Sequence, residues 1–275
     1  MAEYLIQSET LDAIADAINA KTGGSAAMTP AEMVEAIASI SGGGADYRIE
    51  YGNLVNGVAT DWTIYGENIP KTLLNYFNYY PQSAETAVTL HFTESNKTIG
   101  DAFLSNAGVK LDCTHAINIE RIGEASLRSR YSADINASTL TIDFPKYDGY
   151  NPQGGYSTNI FRGSNNYAPK VYRLPSMIHI PTYAWYQMST TNVDIVIGSI
   201  GKGVTDSGNQ PFYGTTNATG TVTIYTTGAL LDSLKTIIQN GAGSGLQFVY
   251  KASEATEYGG VSYAAGDTVL TVGGS

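Results

Sequence analysis

The sequence is short of several residue types, and each shortage excludes a class of protein. It contains one cysteine, Cys113, so a framework of internal disulfides is excluded. Charged residues make up only 15% of the chain, and the net charge is −10. This balance disfavours nucleic-acid binding, which needs a basic surface. No apolar run approaches the length of a membrane-spanning helix, and the first residues lack the basic and apolar regions of a signal peptide.

The usual patterns of metal and nucleotide sites are also missing. None of the three histidines has a partner ligand four residues away, and no CxxC pair occurs. Cys113 and His115 are close in sequence, but we expect Cys113 to be a small buried hydrophobic residue. Neither a phosphate-binding glycine loop nor a GxSxG nucleophile motif is present. The sequence therefore predicts no metal site and no cofactor.

Acidic residues offer a weak indication of catalysis. Glycoside hydrolysis needs two carboxyl groups on opposite sides of a sugar ring. Asp143 and Asp148 are near each other in sequence, as are Asp112 and Glu120. Sequence proximity does not place such a pair across a cleft, and acids at strand ends and turns are usually solvated. We predict no catalytic residues and no enzymatic activity.

Residues 8–40 have the pattern of two short helices. Apolar residues recur at helical spacing from Leu11, and Gly23-Gly24 ends the first helix. Thr29 and Glu32 form a capping box at the start of the second helix, with Pro30 at its first position. The glycines at 42–44 follow as a flexible break.

The amino-acid sequence of this segment, LDAIADAI…KTG…MTPAEM…AI, resembles the leader of many phage and prophage tail-fibre and tail-tip proteins. The resemblance covers residues 1–41 and implies a virion structural protein whose adhesive part lies downstream. It also implies attachment to other virion proteins and assembly into a homotrimer. The residues expected to serve attachment or oligomerisation are Leu11, Ile14, Ile18, Met28, Met33 and Ile37.

A loose repeat follows from residue 87. Short alternating strands are predicted at Val88–Phe92, 117–119, Leu140–Phe144, 194–197 and 222–225. Between them, Ile99-Gly100-Asp101-Ala102-Phe103 is echoed 23 residues later at Ile122 and again at Ile180. The large apolar anchors are Phe103, Leu127, Phe161, Trp185 and Phe212. One strand per unit of 20–30 residues favours a solenoid over a β-sandwich with coincidental spacing.

The motif I-G-x-A-F followed by a strand resembles BspA-like leucine-rich repeats, which occur in bacterial surface adhesins and phage tail proteins. The match covers residues 87–226 and is degenerate in the later units. A helix at 227–240 and strands at 246–251 and 268–272 are expected to cap the solenoid. The predicted fold class is therefore mainly β, with an N-terminal helical hairpin and an irregular leucine-rich-repeat-like solenoid.

Tyrosine supplies the main indication of a binding surface. There are 20 tyrosines against 7 phenylalanines, and tyrosine combines a rigid apolar face with a hydroxyl group. The densest cluster lies among amides and carboxylates and suggests a glycan-binding surface. Packing between solenoid turns or between subunits explains these tyrosines equally well. The candidate ligand-binding residues are Tyr147, Tyr150, Tyr156, Tyr167, Asp148 and Asn151.

These features predict a phage tail-fibre or tail-tip protein that binds a host cell-surface polysaccharide or protein. It would be made in the bacterial cytoplasm and end in the virion, without inserting into a membrane. Capsid decoration or a head fibre fits the same layout, a glycan depolymerase is a second alternative, and a bacterial surface adhesin is a third. The predicted segments are a leader at 1–41, a hinge at 42–46, a connector at 47–86, an adhesive domain at 87–250 and a C-terminal β segment at 251–275.

Overall fold

The computed structural model describes residues 15–16, 48–51, 54–55, 58–59, 61–69, 89–104, 110–127, 141–162, 171–200 and 210–273. The chain divides into two compact units, Met1–Asp46 and Tyr47–Ser275. In the first unit, residues 15 and 16 are described and are helical. The six residues predicted to serve attachment, and Tyr167, lie outside the described residues. No described helix has the length and apolar character needed to cross a membrane.

The second unit is mainly β and forms a solenoid of about five turns. Its strands fall into two larger sheets, a three-stranded sheet and two hairpins. The four-stranded sheet has the order β1 (Arg48–Tyr51), β4 (Asp61–Tyr65), β6 (Thr89–His91), β8 (Lys110–Asp112). The six-stranded sheet has the order β10 (Thr141–Asp143), β11 (Val171–Leu174), β12 (Val193–Ile200), β13 (Gly220–Thr226), β14 (Leu246–Ala252), β17 (Thr268–Gly273). The three-stranded sheet has the order β5 (Asn68–Ile69), β7 (Thr98–Ile99), β9 (Arg121–Ile122). The hairpins join β2 (Leu54–Val55) to β3 (Val58–Ala59) and β15 (Thr256–Tyr258) to β16 (Val261–Tyr263).

Parallel pairing between successive turns confirms the solenoid prediction over the β-sandwich. β4 pairs in parallel with β6, and β6 with β8, whereas from β10 to β14 each strand pairs in parallel with the next; paired residues are 21 to 30 residues apart in sequence. Antiparallel strands stand at the two ends, β1 against β4 and β17 against β14. The described helix α1 (Gly228–Gln239) lies in the connection between β13 and β14, and buries Leu231, Leu234 and Ile238.

Most of the strands expected from alternation are present, but one prediction is wrong. Residues 117–119 do not form a strand. They belong to a corner in which the Ala116 amide donates to the Cys113 carbonyl and the Ile119 amide donates to the Ala116 carbonyl. Two successive tight turns leave no extended backbone for pairing, although the apolar residues alternate as in a strand.

The core is a column of inward-facing side chains, one from each turn. Because parallel strands keep one register, each inward residue lies over its counterpart in the next turn. In the four-stranded sheet the column contains Leu90 and Leu111, and in the six-stranded sheet it contains Ile142, Tyr172, Ile195, Val222 and Phe248. A second column is aromatic: Trp185 stacks on Phe161 at 5.7 Å between ring centroids and on Phe212 at 4.9 Å.

The I-G-x-A-F segments form a repeated turn with left-handed residues. Ala102, Ala125, Asn159 and Tyr183 all have φ between 54° and 56°. The amides of the first three donate to carbonyls of the following turn, which aligns the four positions. Such a conformation costs about 1–2 kcal/mol for a residue with a side chain, so the ladder and the buried neighbours must hold it.

This alignment corrects one predicted anchor. The Leu127 amide donates to the Phe103 carbonyl, and the Phe161 amide donates to the Ser126 carbonyl. In a parallel ladder this places Leu104 level with Leu127 and Phe161. Leu104 also shares their positive φ, at 53°. The equivalent of Leu127 in the first unit is therefore Leu104, one residue after the expected Phe103.

Shortening Trp185 is expected to disrupt the aromatic column. Trp185→Ala removes a fully buried ring that contacts rings on both sides, and should lower the free energy of unfolding by about 3–5 kcal/mol. Trp185→Phe keeps an aromatic ring in the column and should cost clearly less. Urea unfolding of the full chain measures both, and equal losses for the two variants would contradict a role for the stacking.

Candidate functional site

One turn of the solenoid carries most of the predicted ligand-binding residues. From Thr141 to Tyr150 the side chains alternate between outward and buried positions, with one irregularity at Pro145-Lys146. The outward positions form a continuous row around this turn. The row is Thr141, Asp143, Pro145, Lys146, Asp148 and Tyr150.

Tyr147 belongs to the core and not to the binding surface predicted for it. Its side chain is fully buried, and burial raises the pKa of its hydroxyl far above the ordinary value. The reason is its place in the alternation, because it lies between the outward residues Lys146 and Asp148. For this tyrosine, the alternative of packing between turns is the correct interpretation.

Asn151 organises the loop that carries Tyr156. Its side-chain oxygen accepts hydrogen bonds from the amides of Gln153 and Gly155, at 3.0 and 2.9 Å. Its backbone amide donates to the Gly155 carbonyl at 2.8 Å. These bonds use the polar atoms of Asn151 within the loop, so the residue positions the loop and Tyr156 at its end.

Tyr156 provides an open aromatic face. Its ring stacks on the imidazole of His179 at 3.9 Å between centroids, with an angle of 20° between the planes. His179 is only 1% exposed, whereas Tyr156 is 50% exposed. The exposure of Tyr156 therefore comes from its opposite face and its edge. We call Tyr156 on His179, with the adjacent Tyr150 ring 5.3 Å away, the tyrosine platform.

An ion pair borders the tyrosine platform. The Arg121 guanidinium lies 5.2 Å from the centre of the Tyr150 ring and 3.1 Å from the carboxylate of Asp148. The other oxygen of Asp148 accepts a hydrogen bond from the Tyr150 amide at 3.0 Å. Ring, cation and carboxylate thus hold one another in place across two turns.

A polar groove begins at this ion pair. It has a volume of about 280 Å³, and we call it the corner groove. Lys146 on its wall donates to the side-chain oxygen of Asn118 at 2.7 Å. The groove offers both hydrogen-bond donors and acceptors. Its lining residues are Glu120, Arg121, Lys146, Asp148 and Ser176.

A larger groove, which we call the β8–β10 groove, lies where the parallel ladder is interrupted. Strands β8 and β10 belong to different sheets, and the space beside them has a volume of about 420 Å³. Ile117, one of its lining residues, is 42% exposed. Its lining residues are Leu111, Asp112, Cys113, Thr114, Ile117, Thr141, Asp143 and Pro145.

A hydrogen-bonded chain holds the Asp112 carboxylate at the edge of the β8–β10 groove. His91 lies 2.7 Å from Asp112 through Nδ1 and 3.5 Å from Asp61 through Nε2. Thr114 donates to Asp112 from both its amide and its hydroxyl, at 3.0 and 2.6 Å. Thr114 and His91 therefore already occupy part of the hydrogen-bonding capacity of the Asp112 carboxylate.

The structure also describes the cysteine and histidine positions considered for metal binding. Cys113 is buried, and burial raises the pKa of its thiol to about 12. His115 is exposed, with its Nδ1 atom 3.9 Å from the Glu94 carboxylate. Within the described part of the chain, no group of three or more His, Cys, Asp or Glu residues is arranged to hold a metal ion.

Other exposed tyrosines are used in packing. Tyr186 stacks on Tyr213 at 5.7 Å with an angle of 6° between planes, and the Arg162 guanidinium lies 4.3 Å from the centre of the Tyr186 ring. Arg162 also donates to the side-chain oxygen of Gln187. Both faces of Tyr186 are thus covered by the neighbouring turns.

Sequence reasoning found Tyr150, Tyr156 and Asp148 but missed Arg121 and His179. The structure brings these five together from three successive turns. His179 lies five residues after β11, in a segment for which the sequence predicted no strand. Arg121 and His179 could be recognised as neighbours of Tyr150 only by someone who already knew how successive turns align with each other.

A side chain at Gly149 should destabilise the protein, because the backbone of the neighbouring turn leaves no room for it. Gly149 has φ +99°, and a Cβ atom there would clash with the His179 carbonyl oxygen. Gly154 in the same loop has φ +84° with open space around it. Gly154→Ala should cost about 1–2 kcal/mol from conformation alone, and Gly149→Ala clearly more. Thermal unfolding compares them, and equal costs would contradict the close packing at Gly149.

The Asp112 hydrogen bonds predict a pH dependence of stability. Partial burial favours a higher pKa for the Asp112 carboxyl, but the bonds from Thr114 and His91 outweigh it and lower the pKa below the ordinary 3.8. The ionised group therefore stabilises the fold above about pH 4, and this contribution is lost as the pH falls through the folded-state pKa. Asp112→Asn should be less stable than the wild type at pH 7 and approach it at lower pH. Urea unfolding at both pH values tests this, and a constant difference would contradict it.

Comparisons of the chain with protein-family models, with curated proteins and with solved structures found no match. The resemblances to phage tail proteins and to BspA-like repeats therefore rest on the sequence motifs alone.

Proposed function

We propose that the protein is a structural protein of a phage virion, a tail-fibre or tail-tip component that binds a glycan on the host cell surface. In this proposal residues 1–41 attach the protein to other virion proteins, and the solenoid presents the binding surface. Assembly as a homotrimer, as in proteins with a similar leader, is part of the proposal. The virion location is inferred from the amino-acid sequence of the leader, and the glycan ligand is inferred from the surface of the solenoid.

The observation that carries the glycan assignment is the open face of Tyr156. A sugar ring has an apolar face that stacks on an aromatic ring and hydroxyl groups that need hydrogen-bond partners. Tyr156 is held flat by a buried ring beneath it, so it offers such a face at small entropic cost. The Arg121–Asp148 pair beside it supplies a donor and an acceptor for hydroxyl groups.

The surrounding structure favours binding over cleavage. The Asp148 carboxylate is paired with Arg121 at 3.1 Å, and the Asp112 carboxylate is hydrogen-bonded to His91 and Thr114 at 2.6 to 3.0 Å, which lowers the pKa of Asp112. A glycosidase needs one carboxyl group that remains protonated to act as the acid. These two groups are suited to accept hydrogen bonds from hydroxyl groups, and the proposal is therefore for an adhesin without hydrolytic activity.

Removing the Tyr156 ring tests the proposed function. The full chain, labelled with a fluorophore, is incubated with a panel of bacterial strains, and saturable binding is measured by flow cytometry. Tyr156→Ala should reduce the affinity about two- to tenfold, because one stacked aromatic contact is worth about 0.5–1.5 kcal/mol. Tyr263→Ala, in the hairpin β15–β16, is the matched control and should bind like the wild type.

Two outcomes would contradict the proposal. Equal binding by Tyr156→Ala and the wild type would exclude the tyrosine platform as the contact surface. Binding that survives enzymatic removal of surface polysaccharide from the cells would exclude a glycan as the ligand. Circular dichroism of each variant confirms that the solenoid is intact before binding is compared.

A further inference from the structure

The two grooves and the tyrosine platform lie along one turn of the solenoid. Thr141, Asp143 and Pro145 line the β8–β10 groove, and the next outward residues, Lys146 and Asp148, line the corner groove. Tyr150 of the platform follows directly. The three features are therefore consecutive along the same row of outward side chains.

The neighbouring turn makes the same connection. Ile117 lines the β8–β10 groove, whereas Glu120 and Arg121 of the same turn line the corner groove. Between them, Asn118 accepts the hydrogen bond from Lys146 at 2.7 Å. The Lys146–Asn118 bond thus marks the boundary at which one groove gives way to the other.

From these placements we infer that the site binds the interior of a linear, neutral polysaccharide chain, with the tyrosine platform as one subsite and the β8–β10 groove as another. This inference rests on the proposed glycan-binding function and specifies its ligand. The row from Thr141 to Tyr150 contains ten residues joined by nine peptide units, so its backbone path is at most about 30 Å long. That length suits several consecutive sugar units and exceeds what one terminal sugar needs.

The chemistry of the β8–β10 groove fits a sugar unit. Its lining includes the exposed apolar side chain of Ile117 and the ring of Pro145. It also includes the carboxylates of Asp112 and Asp143 and the hydroxyl of Thr141. A lining that combines apolar surface with hydrogen-bonding groups matches the apolar face and the hydroxyl groups of a pyranose ring.

The charges along the row favour a neutral polymer. The two grooves together present four carboxylates and two cationic side chains, and Arg121 is already paired with Asp148. Lys146 is held at the boundary by Asn118. A polyanionic chain with a charge on each repeat would therefore be repelled, in keeping with the net charge of −10.

The test measures affinity as a function of oligosaccharide length. Linear neutral glucan, mannan, galactan and chitin oligosaccharides, graded from disaccharide to octasaccharide, are titrated against the full chain by calorimetry. Ile117→Ala and Asp143→Asn change the β8–β10 groove. Val261→Ala and Asp194→Asn are matched controls, since Val261 is 52% exposed and Asp194 lies outward on β12, and neither lines a groove.

For a series that binds, wild-type affinity should rise with length beyond the disaccharide. Each groove variant should lose about three- to tenfold for the long oligosaccharides, the range of one hydrogen bond or a small apolar contact. Affinity for the disaccharide should be unchanged, because it is bound at the tyrosine platform. Tyr156→Ala should weaken binding at every length.

The outcomes separate this inference from the proposed function. Affinity that is independent of length, or groove variants that bind long oligosaccharides like the wild type, would overturn the extended site and leave the platform in place. Binding restricted to uronic-acid or phosphate-containing oligosaccharides, included as a parallel series, would overturn the neutral ligand. A Tyr156→Ala variant that binds every length normally would instead overturn the proposed function.

Discussion

The backbone hydrogen-bond ladder between successive turns is the constraint on which the rest of this structure depends. Parallel pairing requires each turn to return to the same register, whatever the length of the connection between strands. Connections of different length are therefore accommodated in the loops while the strands stay aligned. Where the ladder continues through Ala102, Ala125 and Asn159, it even maintains left-handed residues that would be unfavourable in isolation.

A fixed register also decides which side chains meet. Inward residues stack on their equivalents in adjacent turns, and outward residues do the same on the surface. Arg121, Tyr150 and His179 are far apart in sequence but come from neighbouring turns, so their contacts follow from the ladder. The interruption between β8 and β10 has the opposite effect, because two strands that do not pair leave room for a groove.

The general fold could be predicted from the sequence because its signals are local and repeated. Alternating residues identified β6, β10, β12 and β13, and the spacing of the units favoured a solenoid. The corner at 117–119 could not be identified, since its apolar pattern is that of a strand and its tight turns depend on backbone bonds to Cys113 and Ala116. The displacement from Phe103 to Leu104 had the same origin, because both residues are buried and only the ladder distinguishes them.

The candidate site could be predicted only in part, because the sequence does not show which ring faces are covered. Counting tyrosines identified a cluster but could not separate its members. Tyr147 is buried by its place in the alternation, and Tyr156 rests on a ring from another turn.

The comparison with Tyr186 shows what makes a tyrosine available to a ligand. Tyr186 is covered on one face by Arg162 and on the other by Tyr213, so neither face of its ring is open. Tyr156 has a buried imidazole on one face, and half of its side chain remains exposed. An aromatic face stays open where the stacking between turns stops. The ladder that builds the core therefore also determines which aromatic faces remain exposed on the exterior.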